Sequence, residues 1–210
     1  MMKIIIALSL IGLSSPVLAQ QSSDSTRFER ENTYTPLDFK EVLRRAHMTF
    51  DEPEGYKKTK IIPNEQQDYL YALKSPDKKV EVRYYIMPLD SMLAKYNRPR
   101  EEGETMINPN NIHQTMLTVT MLNISMGALQ GSPPDPSIFD STAVQNEFGA
   151  DWGATVAIPA GKQFGQDYKF ILMVALHKDN LADAYLFYLT NESKEIEKHL
   201  MESFHSLRFQ

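Results

Sequence analysis

Phe170-Ile171-Leu172-Met173-Val174-Ala175-Leu176 contains no polar side chain. A strand with one face in water alternates apolar and polar residues, so an unbroken apolar run of this length predicts a strand covered on both faces. The run belongs to a longer segment, Tyr168 to Leu176, which the turn His177-Lys178-Asp179-Asn180 joins to a second apolar segment, Ala182 to Leu189. A third, Ala154-Thr155-Val156-Ala157-Ile158, precedes them. Connections this short force neighbouring strands to run antiparallel.

Further upstream, Asp68 to Lys74 and Val80 to Met87 flank Ser75-Pro76-Asp77-Lys78-Lys79, a turn-type linker that predicts a hairpin. In its second strand Val80, Val82, Tyr84 and Ile86 share one face, and the opposite face of Glu81, Arg83 and Tyr85 is expected to be partly wet. Helical spacing appears in three places. Leu37, Val42, Leu43 and Ala46 suggest a short helix. Ile112 to Leu129 is apolar on more than half of its circumference, with Ile112, Met116, Val119, Leu122, Met126 and Leu129 in one stripe and Leu117, Met121, Ile124 and Ala128 in another. The terminal stripe is Ile196, Leu200, Phe204 and Leu207, with Ser193 as N-cap. A shorter helix from Asp140 or Ser141 to Phe148 breaks at Gly149. A central strand needing cover on both sides and helices to supply it give an α+β fold, an αβα sandwich around a twisted, mostly antiparallel sheet.

The first residues have a different character. Lys3 precedes an apolar run from Ile4 to Leu13, and Ser14-Ser15-Pro16 leads to a small-residue exit at Val17-Leu18-Ala19. That is the layout of a secretory signal, expected to be cleaved after Ala19. Its apolar run is too short to cross roughly 30 Å of hydrocarbon, so no stable membrane anchor is expected afterwards. Residues 20–35 are polar and aperiodic and read as a disordered lead-in, leaving 36–210 as a single domain. The expected location is periplasmic or secreted. The absence of cysteine excludes disulfides, thiol chemistry and a lipid-bearing Cys, so the core itself must stabilise the domain. The net charge of −5 becomes more negative once Lys3 leaves, which argues against a nucleic-acid partner. Lys57-Lys58-Thr59-Lys60 is the nearest basic cluster and reads as a solvated strand edge.

Met48-Thr49-Phe50-Asp51-Glu52-Pro53-Glu54-Gly55-Tyr56 resembles the opening of the Mog1/PsbP-like fold, a short strand running into an acidic Pro-Gly-aromatic turn. The end of the chain, Ser203-Phe204-His205-Ser206-Leu207-Arg208-Phe209 after two long apolar strands, is similar to that group's terminal helix and tail. The resemblance spans most of residues 37 to 209. It implies an αβα sandwich, and a role in binding or assembly of the kind many members of that group have. It carries no functional residue across.

Serine-hydrolase, Walker, dinucleotide and calcium-loop patterns are absent. Ile124-Ser125-Met126-Gly127, the nearest text to a nucleophile elbow, falls within the expected helix. His47, His113, His177, His199 and His205 show no paired metal-ligand spacing, and Glu195 with His199, four apart, reads as an exposed helical contact. No metal or cofactor is therefore expected.

Two clusters stand out. Glu147-Phe148-Gly149-Ala150-Asp151-Trp152-Gly153 holds the only Trp beside Asp151 and near Glu147, an aromatic platform with carboxylates that suits a sugar or cation. The plainer alternative has Trp152 plugging the core while Asp151 binds backbone amides, and a lone Trp more often packs. Met106, Met116, Met121 and Met126 form the other, a flexible apolar surface of which Met116 and Met121 would be leading contacts, Met121 facing outward and the loop from Asn97 to Asn111 serving as lid. Methionine at helical spacing is ordinarily core filler. The resulting expectation is an exported, non-catalytic binding or assembly domain whose partner is an unidentified protein or apolar ligand. The rival is a periplasmic hydrolase with Glu147 or Asp151 as general base beside Trp152. Packing dominates this account, and a buried acid–histidine couple in a cleft would contradict it.

Overall fold

A computed structural model describes residues 38–210; the signal segment, the lead-in and Leu37 lie outside the described residues. The strand that occupies the middle of the sheet is the one after the apolar run quoted above. All nine residues of β8 (Ala182–Thr190) are buried. Its neighbours are β7 (Phe170–Lys178) on one side and β4 (Val80–Pro88) on the other, in a seven-stranded sheet of order β2-β3-β4-β8-β7-β6-β5. The remaining members are β2 (Lys57–Lys58), β3 (Tyr71–Lys74), β5 (Ser137–Ile138) and β6 (Trp152–Pro159), and every pairing is antiparallel. The strand interpretation of 170–176 holds with one adjustment. Its interior is covered on both faces, but β7 is next to the centre and its first residue, Phe170, is exposed.

Two separate apolar clusters cover the two faces. Val80, Val82, Tyr84, Val174, Leu176, Leu186 and Tyr188 meet Phe39 and Val42 of α1 (Phe39–Arg45), Val144 and Phe148 of α4 (Ser141–Phe148), and Ile196 of α6 (Ser193–Ser203). On the other face Ile171, Met173, Ala175, Tyr185, Phe187 and Leu189 meet Leu117, Met121 and Ile124 of α3 (His113–Ile124) and Phe164 of α5 (Lys162–Gly165). This is the α+β sandwich that the two-sided apolar run demands.

Three sequence expectations change, and one further element appears that the sequence does not announce. The helix expected from Ile112 to Leu129 stops at Ile124, because the Ile124 carbonyl accepts from the Gly161 amide (2.8 Å) and Gly127 turns the chain at φ 78°. Ser125 is therefore the residue capping the helix end, its hydroxyl donating to the Met121 carbonyl at 2.7 Å. The terminal helix ends at Ser203, and Leu207 belongs to β9 (Leu207–Phe209), which pairs with β1 (Met48–Phe50) in a separate two-stranded sheet. The face of β4 expected to be partly wet is closed at Glu81 and Arg83, which are buried beneath Tyr69, Phe164 and Tyr168, whereas Tyr85 on the same face stays partly exposed. Finally, the polar connection after β4 opens with α2 (Asp90–Tyr96), which no apolar periodicity announces because it buries no residue.

The α4 terminus behaves as read. Asp140 accepts from the amides of Thr142 and Ala143, both at 3.0 Å, and Gly149 ends the helix at φ 65° with the Phe209 carbonyl where a Cβ would stand. No helix among the described residues is long and apolar enough to cross a membrane.

Candidate functional site

The second sheet face changes from apolar to polar at one end. Trp152, His177 and Asp183 are cross-strand neighbours there, in register Trp152↔His177 and His177↔Asp183. His177 thus lies in β7 and not in the turn where the sequence placed it. Its Nδ1 is 2.6 Å from Asp183 Oδ1, both side chains buried, and its Nε2 is 2.9 Å from Asp179 Oδ1. Burial disfavours a proton on His177, but hydrogen bonds to Asp183 and Asp179 outweigh it and raise its pKa above the ordinary histidine value.

His113, the first residue of α3, stacks on His177 at 4.1 Å between ring centres and meets Trp152 at 4.8 Å. Its Nδ1 donates to the Asn110 carbonyl at 2.8 Å. Burial lowers its pKa, the Asn110 carbonyl opposes that, and the neighbouring His177 lowers it further. Asn110 also clasps the β7–β8 turn, its amide donating to Asn180 Oδ1 (3.0 Å) and its Oδ1 accepting from the Asn180 amide (2.9 Å). The loop expected to act as a lid is thus tied down at its far end, with Pro109–Asn111 in a 3₁₀ turn.

A buried acid–histidine couple is therefore present, which a packing-only account does not provide for. It does not amount to a catalytic base. Both His177 nitrogens face carboxylates, which favours the protonated ring over a free basic nitrogen, and His113 covers it where a cleft would be needed. The stacking of His113 on His177 fastens α3 to the sheet.

The other sequence-predicted residues are dispersed. Asp151 accepts the Asp179 amide at 2.9 Å, the backbone-binding role of the plainer reading. Trp152 edges the second apolar cluster, whereas Glu147 is on α4 against the first, paired with His205 at 2.9 Å. Glu147 and Trp152 thus stand on opposite faces of the sheet, and the carboxylate–aromatic platform drawn from their adjacency in sequence does not form. Met121 is 2% exposed and belongs to the core, not to the outer face of its helix. Met116 is partly buried.

The outward side of α3 carries Val119 and Leu122, one turn apart and 40% and 43% exposed, beside the uncharged polar Gln114, Thr115 and Thr118, with Met126 at 61% just beyond the helix and Ile107 at 72% in the segment leading to it. No Asp, Glu, Lys or Arg occurs from Thr105 to Pro134. Surface helices ordinarily carry charge on their solvent side, so this stretch was the signal in the sequence that methionine spacing obscured.

The opposed pKa shifts give a two-sided pH dependence. His177, raised, stabilises fully below the unfolded histidine value of about 6.5 and loses its contribution as pH rises through its folded pKa. His113, lowered, contributes above about 6.5 and loses that as pH falls toward its folded pKa. Urea unfolding across pH 5–8 is expected to show H177Q removing the alkaline decline and H113Q removing the acid one; unchanged profiles in both would exclude this coupling. Compared with known proteins, the chain matches no family model and no curated sequence.

Proposed function

We propose that this chain is an exported, non-catalytic binding or assembly domain whose contact surface is the outer face of α3 with the segment before it, and whose partner is a protein presenting an uncharged apolar surface. The observation that carries this reading is the row Val119, Leu122 and Met126 standing in water within a stretch free of charge. Isolated apolar residues on a surface need no explanation, but an uncharged helix face bearing several does. The anchoring of α3 by His113 and Asn110 supports it, since a contact helix held rigid loses little entropy on association. The Mog1/PsbP-like resemblance, with its binding and assembly factors, points the same way, as does the signal-like N-terminus for export. The rival hydrolase, with Glu147 or Asp151 as base beside Trp152, is disfavoured by the separation of Glu147 from Trp152 and by the use of Asp151 in holding the Asp179 amide.

A photo-cross-linking residue placed at Leu122 in the full chain, in producing cells, is expected to give a discrete adduct. The same residue at Lys198, on the exposed side of α6, should give none, and Met126→Glu should abolish the adduct. Purified protein cross-linked alone identifies a second copy as the partner if the same adduct forms. No adduct at Leu122 beyond that at Lys198 would exclude the surface.

A further inference from the structure

Far from α3, the first-face helix α6 brings a second set of side chains together. Glu195 and His199 are four residues apart and so share one face of α6. The sequence placed this pair at the surface, but His199 is buried, because α6 lies across β4 and β8 and turns that face toward the β3–β4 connection. Asp77 of that connection meets it there. His199 Nε2 is 3.1 Å from Asp77 Oδ2, and one donor atom from each of Asp77, Glu195 and His199 lies within 4.8 Å of the other two.

The contacts behind these three atoms distinguish the arrangement from a chance ion pair. His199 Nδ1 is 3.0 Å from Glu202 Oε2, which fixes the ring so that Nε2 faces Asp77. The Tyr56 hydroxyl donates to the same Glu202 oxygen at 3.3 Å. Asp77 Oδ1 accepts from the Ser75 hydroxyl (2.8 Å) and the Lys79 amide (3.1 Å), which presents Oδ2 to the histidine. A carboxylate behind a histidine whose other nitrogen faces a carboxylate is the outer arrangement of protein metal sites.

We propose that Asp77, Glu195 and His199 form a binding site for a divalent cation of the zinc class. Zinc bound to nitrogen and oxygen at about 2.0–2.2 Å holds tetrahedral donors roughly 3.3 Å apart, so the Asp77–His199 spacing is already suitable. Glu195 completes a set of one imidazole and two carboxylates by turning from Lys79, whose Nζ it now holds at 2.9 Å. The imidazole selects zinc over calcium or magnesium, which prefer all-oxygen donors. Lys79 and Lys198, the latter 3.4 Å from Asp77, supply the positive charge that the cation would replace, and both side chains are exposed enough to swing into water. The surrounding water provides the fourth donor.

Zinc chloride titrated calorimetrically into metal-free, full-length protein is expected to bind with one equivalent at this site and to raise Tm, because a ligand held only by the folded chain stabilises it. Glu195→Gln should abolish that binding while leaving the fold intact, since glutamine matches glutamate in size and keeps an oxygen to accept from Lys79. Glu202→Ala, which removes only the orienting contact, should weaken binding roughly 10–100-fold. Lys79→Ala, which removes the competing ammonium, should strengthen it. No heat and no shift in Tm with zinc, or binding by Glu195→Gln equal to that of the unaltered chain, would overturn the assignment.

Discussion

Replacing Arg83 by leucine is expected to cost about 3–5 kcal/mol of stability, the toll of stranding one member of a buried ion pair. Arg83 is 1% exposed and its Nε donates to Glu81 Oε1 at 2.7 Å. Its Nη1 donates to the Phe164 carbonyl, and its guanidinium lies over the rings of Tyr69 (4.7 Å) and Phe164 (4.9 Å). Without it, Glu81 keeps only Lys74 at 3.6 Å and the Tyr168 hydroxyl at 3.4 Å, and the Phe164 carbonyl loses a donor. Changing Glu81 and Arg83 together to leucine and methionine should recover much of the loss, because two apolar side chains leave no buried charge behind. Urea unfolding followed by Trp152 fluorescence measures both variants. A single-variant loss below about 1 kcal/mol would place the pair with ordinary surface bridges and refute its burial.

This pair also shows where the sequence stops being legible. Alternation along β4 correctly separates Val80, Val82, Tyr84 and Ile86 from Glu81 and Arg83, because period two is a local property of the backbone. Whether the second face is wet depends on what folds over it. Here Tyr69 and Phe164 do, nearly a hundred residues apart in the chain, and neither position is implied by β4. The same division applies to the candidate sites. A β7–β8 hairpin centred on Asn180 places His177 opposite Asp183, so that couple could have been found by extending the strands through the expected turn. The approach of His113 could not, since it depends on the path of α3. Glu195 and His199 were visible as an i, i+4 pair, but Asp77 joins them only through the packing of α6 on the sheet. Met121 was misplaced because both stripes of α3 are apolar, and periodicity alone cannot tell which one the sheet takes.

Two phenylalanines in adjacent strands test the central claim that β8 is the covered middle of the sheet. Phe187→Ala is expected to lose about 3–5 kcal/mol, whereas Phe170→Ala should lose well under half of that. Phe187 is fully buried in the middle of β8, edge-on to Phe164 at 5.0 Å and stacked on Tyr185 at 6.1 Å, so truncation opens a cavity that neighbouring strands cannot collapse to fill. Phe170 starts β7 opposite Pro159 and Thr190 with 40% of its surface already in water, so truncation removes less buried area and leaves no enclosed void. A domain of ordinary stability, about 5–15 kcal/mol, would lose a large share of it to the first change and little to the second. Equal losses at the two positions, read from denaturant midpoints at constant slope, would mean that cover extends to the end of β7 or that β8 is open on one face. Either result would remove the physical basis for reading the run from Phe170 to Leu176 as the approach to a two-sided core.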